Sequence, residues 1–246
     1  MANKGNIHIG TSGWQYSHWK GPFYPEHLSN HELLEYYSGY FDTVEINNSF
    51  YRLPKRETLQ RWRECVPGEF IFSFKANRYI THMKKLKDPA DSLARMLDVV
   101  DSLEDALGPI LFQLPPRWKF NPERFSNFLD MLPPRYRYVF EFRDPSWLVP
   151  DAYKALDKAG AAFCIYEIGG LKSPTHVTED FVYIRLHGPE REPYRGRYST
   201  KVLAGWAGAI SSWVVQGKDV FCYFDNDEAG YAAQDAARLR EMLKKE

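Results

Sequence analysis

In the stretch VFEFRDPSW, Glu141 and Arg143 stand two residues apart among Val139, Phe140 and Phe142. Successive side chains of a strand point to opposite faces, so this Glu and Arg share one face of what otherwise reads as a core strand. Charged groups are almost never fully buried unless paired, so the two call for a polar setting at the strand's end. The arrangement recurs. Glu45 with Asn47, Ser73 with Lys75, Gln113, Arg185 with His187, and Asp225 each end an apolar run on a single parity. Carboxylates beside a histidine suit general acid–base chemistry. Lysine and arginine beside them suit an anion. The catalytic candidates are therefore Glu45, Glu141, His187 and Asp225. The substrate-binding candidates at strand ends are Asn47, Lys75, Gln113, Arg143 and Arg185.

These groups can meet only if the strands that carry them converge. Eight strand-like runs are expected: Ile7–Thr11, Thr43–Asn47, Phe70–Lys75, Ile110–Leu114, Tyr138–Arg143, Ala162–Tyr166, Phe181–His187 and Val220–Asp225. Between most of them lie apolar residues at helical spacing, as in ELLEYYSGYF, ETLQRWREC and SLARMLDVVDSLEDAL. Alternating strands and helices imply a parallel sheet. Eight such units in 246 residues match the size of a closed (β/α)8 barrel. The fold expected is α/β, a single TIM-type barrel spanning residues 1–246, irregular between strands six and seven, where EIGGLKSPTHVTED lacks a helical pattern. A doubly wound open sheet is the runner-up, but no GxGxxG follows the first strand. Barrel enzymes carry their active sites at the carboxyl ends of the strands, where the polar residues fall.

Two loops add binding candidates. The first, GTSGWQYSHWKGPFYPEHLS, offers Trp14 and Tyr16 for stacking, or packs on itself as an aromatic lid. The seventh, HGPEREPYRGRYS, interleaves Arg195 and its neighbours with Tyr194 and Tyr198, a pattern suited to phosphate and base contacts.

Thirty-two basic side chains balance thirty-two acidic ones, which argues against a broadly basic nucleic-acid surface but permits a local patch. One strand-end histidine makes a poor zinc set; with Glu45, Glu141 and Asp225 it could at most hold a single oxygen-rich magnesium or manganese site, and the expectation is no metal and no cofactor. YFDNDEAGYA misses the spacing of a calcium loop. Cys65, Cys164 and Cys222 form no CxxC pair and no disulfide framework, which points to a reducing cytoplasm. MANKGNIHIG has no apolar signal core, and no apolar run approaches about 18 residues, so neither secretion nor membrane insertion is expected.

The motifs GTSGWQYSHWKGPFYP, VEINNSFYRLP, FSFKANRYITH, QLPP, FEFRDPSW and YFDND…GYA together resemble the YecE-like family, domain of unknown function 72, in the family's order. The resemblance implies a TIM-type barrel and no defined catalytic residues. Three readings follow from the residues themselves. The first is an enzyme, in the hydrolase class, acting on a phosphate-bearing nucleotide or nucleic acid in a cation-lined cleft. The second is a glycosidase-like hydrolase using two of the carboxylates. The third is a non-catalytic barrel that binds nucleic acid or a protein partner.

Overall fold

The computed structural model describes residues 4–244. The strands are β1 (Ile7–Thr11), β2 (Thr43–Ile46), β3 (Ile71–Lys75), β4 (Leu107–Gln113), β5 (Tyr138–Glu141), β6 (Ala161–Ile168), β7 (Leu171–Lys172), β8 (Phe181–Leu186) and β9 (Asp219–Phe224). The α-helices are α1 (Leu33–Ser38), α2 (Arg56–Glu64), α3 (Ala90–Val100), α4 (Pro122–Leu129), α5 (Pro150–Ala159), α6 (Thr200–Val215) and α7 (Tyr231–Leu243). Eight parallel strands run in the order β1-β9-β8-β6-β5-β4-β3-β2, so the first strand pairs with the last and the fold is a nearly closed TIM-like barrel.

Strand parity splits the core in two. Ile9, Val44, Phe72, Phe74, Phe112, Phe140, Ile184 and Phe224 face the helices and form the outer core. Leu111, Val139, Cys164, Tyr183, Phe221 and Tyr223 fill the barrel's interior. Two interior tyrosines keep polar partners there, as buried phenols generally must. The Tyr223 hydroxyl lies 2.6 Å from Thr43 Oγ1 and 2.7 Å from Ser73 Oγ, and Tyr183 donates to Glu45 Oε2 at 2.7 Å.

Two boundaries differ from expectation for local reasons. β4 begins at Leu107, although Pro109 cannot donate to a ladder. The β3–β4 register slips by one residue between Phe72 and Phe74, and a bulge is where a sheet tolerates proline. The link after β6 is a tight antiparallel hairpin onto β7, turning at Gly169 and Gly170, which take φ of 58° and 76°. Two adjacent positive-φ positions suit glycine in such a turn. This is the irregular stretch expected between the sixth and seventh barrel strands. Among the described residues, no helix is long and apolar enough to cross a membrane.

The barrel closes at a thin seam. Between β1 and β2 the backbone makes an isolated bridge at Ser12 and Glu45, with Gly13 N–H donating to Glu45 O at 2.9 Å. Below it the α1 residue Tyr37 inserts its hydroxyl, accepting from Thr11 N–H at 2.9 Å and donating to Thr43 O at 3.1 Å. Gly10 permits the approach, since a Cβ there would sit 2.1 Å from Thr43 O. Tyr37→Phe should leave the Thr11 amide buried without an acceptor and lower unfolding free energy by about 1–3 kcal/mol in urea titration. A change under about 0.5 kcal/mol would show that the hydroxyl is not what holds the seam.

Candidate functional site

The inward-facing polar residues meet at the carboxyl ends of the strands, around one arginine. Arg185, from β8, has no exposed surface. Its guanidinium donates to Glu141 Oε2 at 2.8 Å, to Glu45 Oε1 at 2.8 Å and to Asp225 Oδ2 at 3.1 Å. Glu45 also accepts from Ser12 Oγ at 2.7 Å and from Tyr183, so both its oxygens are engaged. Arg143 Nε donates to the other oxygen of Glu141. Burial alone would raise the Glu141 pKa, but the Arg143 and Arg185 charges hold it well below the usual carboxylate range. Asp225 is likewise held low against its burial by His187 and Arg185. Both carboxylates are ionised.

His187 joins the two halves of this network. Its Nε2 lies 3.0 Å from Arg143 Nη2, and a guanidinium can only donate, so Nε2 is the acceptor. The ring proton therefore sits on Nδ1, which faces Asp225 Oδ2 at 2.9 Å, close but off the axis of a straight hydrogen bond. The ring thus turns its Nδ1–H toward Asp225.

Above this layer opens a cavity of about 450 Å³. Lys75 and Asp225 are the charged groups that line it, and Trp14, Tyr16, Tyr51 and Tyr194 form its walls. Asn47 and Asn48 complete one side, and Asn47 Oδ1 is buried without a hydrogen-bond donor among the described residues. Lys75 is 8% exposed and its ammonium lies 4.6 Å from the centre of the Phe50 ring. Burial first, and then the Arg185 charge, draw its pKa from 10.5 down to about 8. Behind Asp225 in sequence, burial and the Asp225 charge push Asp227 up to about 6. Tyr16 is fixed by donating to Ser12 O at 2.6 Å, and burial with the Asp225 and Asp227 charges keeps its phenol protonated.

The strand-end residues thus form two tiers. Glu45, Glu141, Arg185 and His187 lie in the sealed tier, with no exposed surface. Lys75, Asp225, Asn47, Trp14 and Tyr16 reach the cavity. A shared open cleft for all of them is therefore corrected: parity sets the face, and the loops set the depth. Gln113 pairs in register with Glu141 but is not among the cavity's lining residues. Arg195 and Tyr198 point elsewhere. Arg195 pairs with Glu192 at 2.9 Å on the surface, and Tyr198 is buried, its hydroxyl accepting from Gly188 N–H at 3.0 Å. Tyr194 turns inward in their place, at φ 71° between Gly188 at 102° and Gly196 at 82°. Asp235 secures this loop by accepting from Tyr198 N–H at 2.9 Å and Asn226 Nδ2 at 3.0 Å. The rest of the first loop packs on itself as an aromatic lid: Trp19 and Tyr24 are buried, and Phe23 meets both edge-on and also packs against Tyr36 and Tyr40 beyond the loop.

Among the described residues, no group of three or more His, Cys, Asp or Glu is arranged to hold a metal ion. Asp225 is the single carboxylate that reaches the cavity among them.

The family described as "Protein of unknown function DUF72" matches residues 8–246. The UPF0759 protein YunF of Bacillus subtilis (strain 168) is 28% identical, covering 96% of this chain and 94% of YunF. The UPF0759 protein YecE of Escherichia coli (strain K12) is 32% identical over 57% of this chain and 50% of its own length. A DUF72 family protein of Thermotoga maritima MSB8 superposes with a TM-score of 0.88 at 28% identity, covering 97% of this chain and 99% of that one.

Arg185→Leu should destabilise the fold by about 3–5 kcal/mol at pH 7, since it strands three buried carboxylates. The sign with pH follows from the lowered carboxylate pKa values. The stabilisation that Glu141 and Asp225 contribute is present above their unfolded values of 4.5 and 3.8 and is lost as pH falls below them. The deficit of the variant should therefore narrow between pH 5 and about 3 in denaturant titrations. A deficit that stays constant across that range would mean the carboxylates do not depend on Arg185.

Proposed function

Because the chain belongs to the DUF72 family, whose description names no activity, we propose a function from the cavity itself: an enzyme acting on a small phosphate-bearing substrate such as a nucleotide. The observation that carries this reading is Lys75. Its ammonium has no ion-pair or hydrogen-bond partner among the described residues, and it is the one cation lining the cavity among them. A buried, unpartnered ammonium is costly unless an anion meets it. The nearby carboxylates are already matched by Arg185 and Arg143. Amide groups of Asn47 and Asn48 lie on the same side, and the aromatic walls suit a flat ring.

Asp225 supplies the chemistry. It is ionised, faces the cavity, and is backed by the His187 proton. A carboxylate so placed acts as a general base toward a water or hydroxyl on the substrate. Arg185 cannot serve as the anion clamp, because its guanidinium is sealed and shared among three carboxylates. The two-carboxylate arrangement of a glycosidase would need Glu45 or Glu141 in the cavity, and neither reaches it.

Adenosine monophosphate at about a hundred times its dissociation constant should raise the melting temperature by about 5–10 °C. Lys75→Met should abolish that gain, while the exposed Lys154→Ala should keep it. Binding needs the ammonium, so affinity should hold up to about pH 8 and weaken above it as Lys75 loses its proton. Unchanged affinity at pH 9.5, or full binding by Lys75→Met, would refute the phosphate reading.

A further inference from the structure

The two loops that follow β2 and β3 carry a separate feature at the cavity's edge. Residues 46–56 and 75–87 hold eight lysines and arginines and no aspartate or glutamate. The overall charge balance hides this segregation. Arg56 pairs with Asp98 and Lys75 faces the cavity. The other six, Arg52, Lys55, Arg78, Lys84, Lys85 and Lys87, make no ion pair among the described residues, and all but the half-buried Lys85 are exposed.

The loops form one surface. Asn77 Nδ2 donates to Ser49 O at 2.9 Å, Ser49 Oγ donates to Lys75 O at 2.6 Å, and the His82 ring meets the edge of Phe50. Two tyrosines stand out of it. Tyr51 is 71% exposed with the Arg78 guanidinium over its ring, and Tyr79 is 43% exposed with the Lys84 ammonium over its ring. Aromatic rings exposed to water beside cations suit a ligand that is both flat and anionic.

The backbone is held in unusual shapes to present them. Tyr79–Met83 form a π-helical turn, and Lys85, Leu86 and Asp88 adopt φ of 48°, 63° and 44°. Such turns and strained positions persist only where the surroundings over-determine them. Here the anchor is Leu86, buried to 2% exposure with its N–H on Ile80 O at 2.9 Å. With Leu86 turned inward, Lys84 and Lys87 are left exposed on either side. Tyr51 also lines the cavity, so the surface and the cavity are continuous.

We propose that this platform binds single-stranded nucleic acid, its bases stacked on Tyr51 and Tyr79, its phosphates on the lysines and arginines, and one nucleotide delivered into the cavity. Bases with free faces can stack on exposed tyrosines, whereas those of a duplex are already stacked on one another. The inference rests on the phosphate reading of the cavity and extends it from a free nucleotide to a strand.

The test is fluorescence anisotropy of the full chain with a labelled oligothymidylate of about 12 nucleotides, titrated across salt. Affinity should fall steeply with salt, and Lys84→Ala/Lys87→Ala should reduce the log–log slope by about 1.4, for two phosphates lost. Tyr51→Ala should weaken binding about tenfold, Tyr51→Phe less than about twofold, and Lys154→Ala not at all. The proposal is overturned if the oligonucleotide does not bind at about 50 mM salt, if the double lysine variant keeps its slope, or if a duplex of equal length binds as tightly. A protein that ignores the oligonucleotide yet is stabilised by adenosine monophosphate through Lys75 loses the platform and keeps the phosphate cavity. Failure of both removes the reading beneath.

Discussion

Arg185 holds three carboxylates, from β2, β5 and the residue just after β9, on one guanidinium, and the top of the barrel is organised around that contact. The planar, always-charged group can address three anions at once, which a point-charge ammonium cannot. Its burial makes the arrangement costly to break, and buried ionic groups are weak devices for stability alone. The contact instead positions what lies above it. Glu45 and Glu141 are used up by their partners, Asp225 is oriented with one side on the arginine and His187, and Lys75 is left as the cavity's cation with no ion-pair partner among the described residues.

The interior hydroxyls extend this logic downward. Tyr183 ties Glu45 to the apolar filling of the barrel, and Tyr223 ties Thr43 to Ser73. A polar layer this densely bonded is stiff, because most displaced groups would be left buried and unsatisfied. The cavity therefore rests on a stiff floor, while its walls come from loops, where variation in ligand preference is least costly to the fold.

Much of this was legible in the sequence. Alternation of apolar and polar residues located all eight barrel strands, and the parity of Glu45, Lys75, Glu141, Arg185 and Asp225 placed them on the inner face. Depth was not legible. Nothing in local spacing separates Arg185, with no exposed surface, from Lys75, which opens to the cavity, because the difference is set by loops arriving from elsewhere in the chain. The seventh loop shows the same limit. Whether Tyr194 or Tyr198 turns inward is decided by positive φ values at Gly188, Tyr194 and Gly196 and by Asp235 on α7, none of which has a sequence period. Pro109 shortened the apparent fourth strand because a bulge, invisible in a linear pattern, accommodates it.

The pairing of β1 with β9 has a consequence for how the chain comes into being. Ribosomes add roughly 10 residues per second, so Glu45 emerges on the order of ten seconds before Arg185 is made, and Asp225 follows still later. Throughout that interval the nascent amino-terminal half presents strand edges whose partners do not yet exist, and carboxylates destined for the interior must stay hydrated. The barrel cannot be finished vectorially from its start. The ninth strand is also the neighbour of the first, so closure waits for β9, and a chain stalled or truncated before it is left with an open edge at β1 and an arginine short of one of its three anions.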